Sequence, residues 1–288
     1  MLGALIIVLR EVVEAGLIVG IVLAVTQNVP GRLAYVSGGV IGGIFGAILV
    51  ALFAGRIAAA VEGNGQEVFN AAVLGIAVVM LSWHNVWMAR HGREMAGELK
   101  QLGEAVRDGS RTLLALAVVV AVAVLREGSE VALFLYGIVV SDKTSGAALL
   151  GGGLIGLVIG ALISLLTFKG LIVIPMRHLF KVTTLLISFI AAGMAVQSVA
   201  FLEQADIVSV LDRTVWNTSA VLPDNSLLGR ALHTLLGYTD APTQLQLLVY
   251  VATLAAIFLL MKVFSARRHA PVQGEALHGQ SAPPRAAE

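Results

Sequence analysis

Two short stretches place acids and a base where an apolar environment would exclude them. Leu9–Gly16 reads LREVVEAG and Leu125–Ala132 reads LREGSEVA, each inside a long hydrophobic run. Arginine to the second glutamate is an i,i+4 step and the two glutamates are i,i+3. On a helix, Arg10, Glu11 and Glu14 therefore share one face, as do Arg126, Glu127 and Glu130. An ionisable group at mid-membrane costs roughly 2.5–3.5 kcal/mol even on the lenient insertion scale. Six such groups must then face one another or a watery cavity. Four carboxylates against two guanidiniums leave a formal charge of −2, which balances a divalent cation. Oxygen ligands of this kind suit iron, manganese, magnesium or calcium and disfavour monovalent copper. Arg10 and Arg126 would orient the carboxylates and limit the negative charge of the empty site.

The surrounding composition says what must hold these groups. The chain has 288 residues, 58% apolar and 13% charged, with mean hydropathy +0.90. Soluble domains carry about 25% charged residues, so this balance indicates a polytopic α-helical membrane protein. Cysteine is absent, which excludes disulfides and thiolate metal sites. The first hydrophobic segment lacks a basic flank and is interrupted by Arg10, so it is expected to remain as a membrane helix. Nucleic-acid binding finds no support.

Seven segments are long enough to span a hydrocarbon core of about 30 Å: Leu2–Thr26, Ala34–Ala54, Val68–Met88, Leu113–Val140, Gly146–Phe168, Val182–Glu203 and Gln244–Phe264. With the N-terminus outside, 13 Lys and Arg fall on the inner side and 4 on the outer, with the other two of the 19 inside helices. That asymmetry predicts an N-out, C-in topology. Arg90–Arg111 reads as a cytoplasmic amphipathic linker, and residues 265–288 as a disordered tail. Trp83, Trp87 and Trp216 fit interfacial anchoring.

The two charged motifs are related by a shift of 116 residues. A glycine ladder, Gly38/Gly42/Gly46, recurs as Gly152/Gly156/Gly160 at a shift of 114. Three helices per unit (residues 2–88 and 113–203) would put the second unit into the membrane upside down. Residues 244–264 would add one extra helix outside the repeat. Such inverted repeats carry their sites near the midplane, between the halves. The glycines themselves read as packing faces.

R-E-x-x-E in the first and fourth of seven helices resembles the oxidase-dependent iron permease family, the fungal high-affinity iron permeases and their bacterial iron-uptake relatives. The likeness extends to LEQAD at the end of the sixth helix and to VWNTS and LLGYTDAPTQLQ beyond it. The positions between the charges depart from the commoner R-E-G-L-E wording at Val12, Val13 and Ser129. The resemblance implies that Glu11, Glu14, Glu127 and Glu130 handle iron as a transported substrate, with no resident cofactor and no enzymatic reaction. It also implies an inner-membrane location, and an outside partner that is an oxidase or a periplasmic iron-delivery protein. Two rivals stay open: the same carboxylates passing another divalent metal such as lead or manganese, and a membrane oxidoreductase subunit.

Six further positions carry paired readings. Glu203 and Gln204, at the outer end of the sixth helix, either receive a cation from outside or sit among headgroups. His84 and Asn85, towards the inner end of the third helix, either form an exit step or pack. Glu67 and Glu62 either gather metal or are solvated loop acids. Eight outer acids against four outer bases would raise the local cation concentration modestly.

Overall fold

The computed structural model describes residues 1–60, 66–142, 145–170, 176–224 and 226–266. Glu62 and Lys143 of the expected outer loops, and positions 267–288 of the predicted tail, lie outside the described residues. Regular structure among those described is helical: α1 (Leu2–Val25), α2 (Arg32–Ala60), α3 (Gln66–Arg107), α4 (Leu113–Asp142), α5 (Gly146–Phe168), α6 (Met176–Gln204), α7 (Leu227–Leu236) and α8 (Gln244–Ala266). Five of these contain stretches long and apolar enough to cross a membrane: Arg32–Phe53, Gln66–Met88, Gly146–Phe168, Phe180–Gln204 and Gln244–Phe264. Helices α1 and α4 are of similar length, but each carries its charged triplet at mid-helix.

The molecule exposes large apolar side chains while burying a charged layer. Ile41, Phe45, Leu52 and Phe53 of α2 and Leu150, Leu154 and Val158 of α5 are exposed, whereas Arg10, Glu11, Glu14, His84, Asn85 and Glu127 are buried. An exposed apolar belt of this extent is the surface a bilayer covers.

Close helix pairs set the positions of the charged helices. Helix α5 lies along α1 and α2 lies along α4, each pair running parallel through small residues. A Cβ on Gly156 would stand 2.5 Å from the Leu5 carbonyl oxygen and 3.0 Å from the Leu9 amide nitrogen. A Cβ on Gly43 would stand 2.7 Å from the Ala121 carbonyl oxygen and 3.0 Å from the Leu125 amide nitrogen. Only glycine lets the backbones approach this closely.

The α2 ladder differs by one residue from the sequence expectation. Gly38 and Gly42 have nothing within 4 Å of a built Cβ, while Gly39 and Gly43 face α4 and Gly46 meets Leu125. The spatial match is Gly39, Gly43 and Ala47 to Gly152, Gly156 and Gly160. Ala47 meets Gly128 of α4, and Gly160 meets Val12 of α1. Each contact thus joins a larger residue to a glycine, with the two roles exchanged between the pairs.

Helix α4 runs antiparallel to α1. Ile138 touches the α1 start at Gly3, and Leu116 and Val120 join Val22 near its end. Helix α3 runs parallel to α1, bringing His84 to the level of Glu11 and Glu14 and Gly103 to Val25. It continues through the expected linker as far as Arg107 because Leu99 and Val106 bury against α1 and α4. Two apolar clusters result, one on each side of the charges. The cluster towards the α1 start includes Ile7, Leu74, Leu81, Phe134, Ile138 and Ile190. The other includes Ile18, Val22, Val36, Leu99, Leu116 and Val120.

The segment between α6 and α8 is built structure. Ser226 caps α7, accepting from the Gly229 amide, and Gly237 ends it in the left-handed conformation at φ 68°. The α-carbon of Gly193 on α6 lies 2.6 Å from a Cβ built on Gly237, so α7 and α6 meet backbone to backbone. Asp224 and Asp240 each accept a hydrogen bond from the other's backbone amide, at 3.1 and 3.2 Å.

Candidate metal path

The charged layer is assembled from three helices. Helix α1 contributes Arg10, Glu11 and Glu14, α4 contributes Arg126, Glu127 and Glu130, and α3 contributes His84 and Asn85. Each arginine closes on the second glutamate of its own motif. Arg10 Nε donates to Glu14 Oε1 at 2.7 Å, and Arg126 Nε donates to Glu130 Oε1 at 3.1 Å. The i,i+4 spacing therefore does locally what it predicts.

The environments differ. Arg10 is 1% exposed and its Nη1 also donates to Asn85 Oδ1 at 2.6 Å. Arg126 keeps 36% of its side chain exposed, and its guanidinium lies 4.1 Å from the centre of the Trp87 ring. Trp87, expected at an interface, instead forms a cation–π contact at the edge of the charged layer.

His84 bridges the two motifs. Its Nδ1 lies against Glu130 Oε2, and its Nε2 lies 3.4 Å from Glu14 Oε2 and 3.8 Å from Glu11 Oε2. Single ligand atoms from Glu11, His84, Glu127 and Glu130 all lie within 4.8 Å of one another. Glu14 stands outside that group of four, held by Arg10. Both oxygens of Glu11 and Oε2 of Glu127 are buried without a hydrogen-bond donor. Buried carboxylate oxygens left this way are expensive, and a divalent cation coordinated between them would satisfy several at once.

Glu11, His84, Glu127 and Glu130 would offer a cation coordination and no other chemistry. No Glu-x-x-His pair of the di-iron bundle type exists in either motif. Comparison with known proteins gives the class of protein that carries this layer. Residues 1–268 match the iron permease FTR1 family.

The chain belongs to that family.

Its members include proteins named ferrous iron permease EfeU. The one from Escherichia coli O6:H1 strain CFT073 is 30% identical over 247 residues, covering 85% of this chain and 89% of the relative. That from Yersinia pestis is 28% identical over 257 residues, covering 88% and 90%. No solved structure matches this chain. This FTR1-family chain is thus a membrane permease of the iron-transport class, and not an enzyme.

The remaining expected positions lie apart from the charged layer. Glu203 Oε1 accepts from Thr243 Oγ1 at 2.9 Å and its Oε2 accepts from Gln246 Nε2 at 2.7 Å, tying the end of α6 to the start of α8. Gln204 is exposed at the last residue of α6, and Glu67 is exposed in the first turn of α3. His84 and Asn85 are level with the motifs, not displaced towards an inner exit. Their central position was hidden in the sequence because α3 continues well past the hydrophobic segment that seemed to end near Met88. Trp87 at i+3 from His84 was the available signal, since it places a second functional side chain near the same face.

Proposed function

We propose that this chain carries Fe2+ inward across a bacterial inner membrane through the layer formed by Glu11, Glu127, Glu130 and His84. The single observation that carries this reading is the convergence of ligand atoms from both R-E-x-x-E motifs on one point. Ferrous iron is favoured by the printed names of the relatives. It also fits the −2 charge of four carboxylates with two guanidiniums. Glu14 and the two arginines act as the supporting shell, and Glu14 becomes a ligand when Arg10 releases it.

The reading includes seven spans, with α1 and α4 crossing the bilayer alongside the five more apolar helices. Residues 2–88 and 113–203 form an inverted repeat, residues 244–264 add one helix, and the chain lies N-out and C-in. Support comes from the antiparallel course of α1 and α4 and from the exchanged pairs α1 with α5 and α2 with α4. Apolar clusters close the charged layer on both sides, so an ion passes only if one cluster opens while the other stays shut. The outer loop would receive iron from an oxidase or a periplasmic delivery protein, with Glu203, Gln204 and Glu67 on the approach.

The test is radiolabelled Fe2+ uptake into proteoliposomes by the wild type, Glu11→Gln and Glu127→Gln. Both substitutions abolish uptake in folded, inserted protein on this account. Unchanged uptake in both would remove the charged layer from the path. Competition by Mn2+ and Pb2+ in the same assay separates iron from the other divalent metals.

A further inference from the structure

We propose that His84 is a nitrogen ligand that makes this layer select a transition-metal ion over Mg2+ and Ca2+. The proposal rests on the carboxylate path above and deepens it, because R-E-x-x-E alone supplies only oxygen. Oxygen-only sites suit Mg2+ and Ca2+ as well as Fe2+, whereas imidazole favours iron and its neighbours in the first row.

The geometry distinguishes His84 from a packing histidine. A buried packing histidine ordinarily gives one ring nitrogen to a backbone carbonyl or hydroxyl. Here Nδ1 and Nε2 have no such hydrogen bond, and the nearest charged atoms to both are carboxylate oxygens of the two motifs. The ring is 3% exposed and comes from α3, a helix that carries neither motif. Next along α3, Asn85 accepts from Arg10 and fixes the helix against α1. Glu11, fully buried on α1, and Glu127, on α4, supply the oxygens opposite the ring. The site is therefore a mixed nitrogen and oxygen set drawn from three helices, with its nitrogen at the junction between the two halves.

Two measurements test this. In proteoliposomes, Fe2+ uptake by the wild type resists a large molar excess of Mg2+ or Ca2+. His84→Asp, which makes the layer all-oxygen, loses that preference by about tenfold or more, the scale on which even ligand-supporting side chains act. In purified wild-type protein loaded with Mn2+, pulsed electron paramagnetic resonance detects an imidazole nitrogen coupling. That coupling disappears in His84→Gln and persists in His233→Gln. An unchanged preference in His84→Asp overturns the proposal. So does a wild-type Mn2+ spectrum without imidazole coupling, a result that requires no variant to fold. Glu127→Gln separates the two levels: lost uptake there with an unchanged His84→Asp preference sinks only the role of His84, and retained uptake sinks the path and this inference together.

Discussion

The two charged motifs share a sequence pattern and differ in what surrounds it. Arg10 is sealed between α1 and α3, bonded to Glu14 and Asn85. Arg126 has the same i,i+4 bond but sits at an edge, part-exposed against Trp87. Identical spacing therefore yields a locked triplet in one half and a looser one in the other. The half with the freer arginine is the half whose glutamates both reach the ligand group.

The largest expected effect comes from breaking that comparison at its tighter end. Arg10→Met strands the Glu14 carboxylate and the Asn85 carbonyl in a dry layer and costs roughly 3–5 kcal/mol, as removing one partner of a buried pair does. Arg126→Met costs at most about 2 kcal/mol, because the pair is only part-buried and only a cation–π contact is lost besides. Unfolding of both variants in detergent checks the order. Equal losses would mean that the two triplets are equivalent.

A second contrast lies on the helices that carry the motifs. Gly43→Val forces a branched side chain onto the α4 backbone and costs about 1–3 kcal/mol, at the upper end because backbone cannot step aside. Gly42→Val, one residue away and facing open space, stays within about 0.5 kcal/mol. Thermal melts of the pair sharpen the assignment of the α2 face.

A smaller effect is expected where α6 meets α8. Glu203→Ala removes two hydrogen bonds to the start of α8 and costs about 1–3 kcal/mol locally. Faster hydrogen exchange confined to the amides near Thr243 and Gln246 would register it. Slower Fe2+ uptake with unchanged exchange would instead make Glu203 part of the approach.

The smallest concerns pH. Burial, together with the neighbouring Asp240 charge, raises the Asp224 carboxyl above the ordinary carboxylate range. A raised carboxyl holds its proton better in the folded loop. Its stabilising contribution is full below the unfolded value and is lost as pH rises through the folded one. Amide protection around Tyr238 should therefore be higher at mildly acidic pH than at neutral pH, and Asp224→Asn should flatten that dependence.

How much of this was legible in the sequence depended on whether the signal was local. The triplets and their arginine–glutamate bonds follow from helix spacing alone, and the apolar spans follow from composition. The α2 glycine face was misplaced by one residue because glycines occupy both Gly38/Gly42 and Gly39/Gly43, and only the neighbouring helix selects between the pairs. Helix α7 had readable ends at Ser226 and Gly237, masked by the irregular segment around it. The central position of His84 needed α3 to run parallel to α1, a relation between distant segments that no local pattern carries.

Whether the two motifs make one site is decided by a double-substitution cycle in Fe2+ affinity. Wild type, Glu11→Gln, Glu127→Gln and the double variant are titrated with Fe2+ under anaerobic conditions in nanodiscs. If one ion bridges both carboxylates, the double variant binds scarcely more weakly than either single variant, a strongly non-additive result. Losses that simply add would mean two separate sites, one in each half, and would contradict the account.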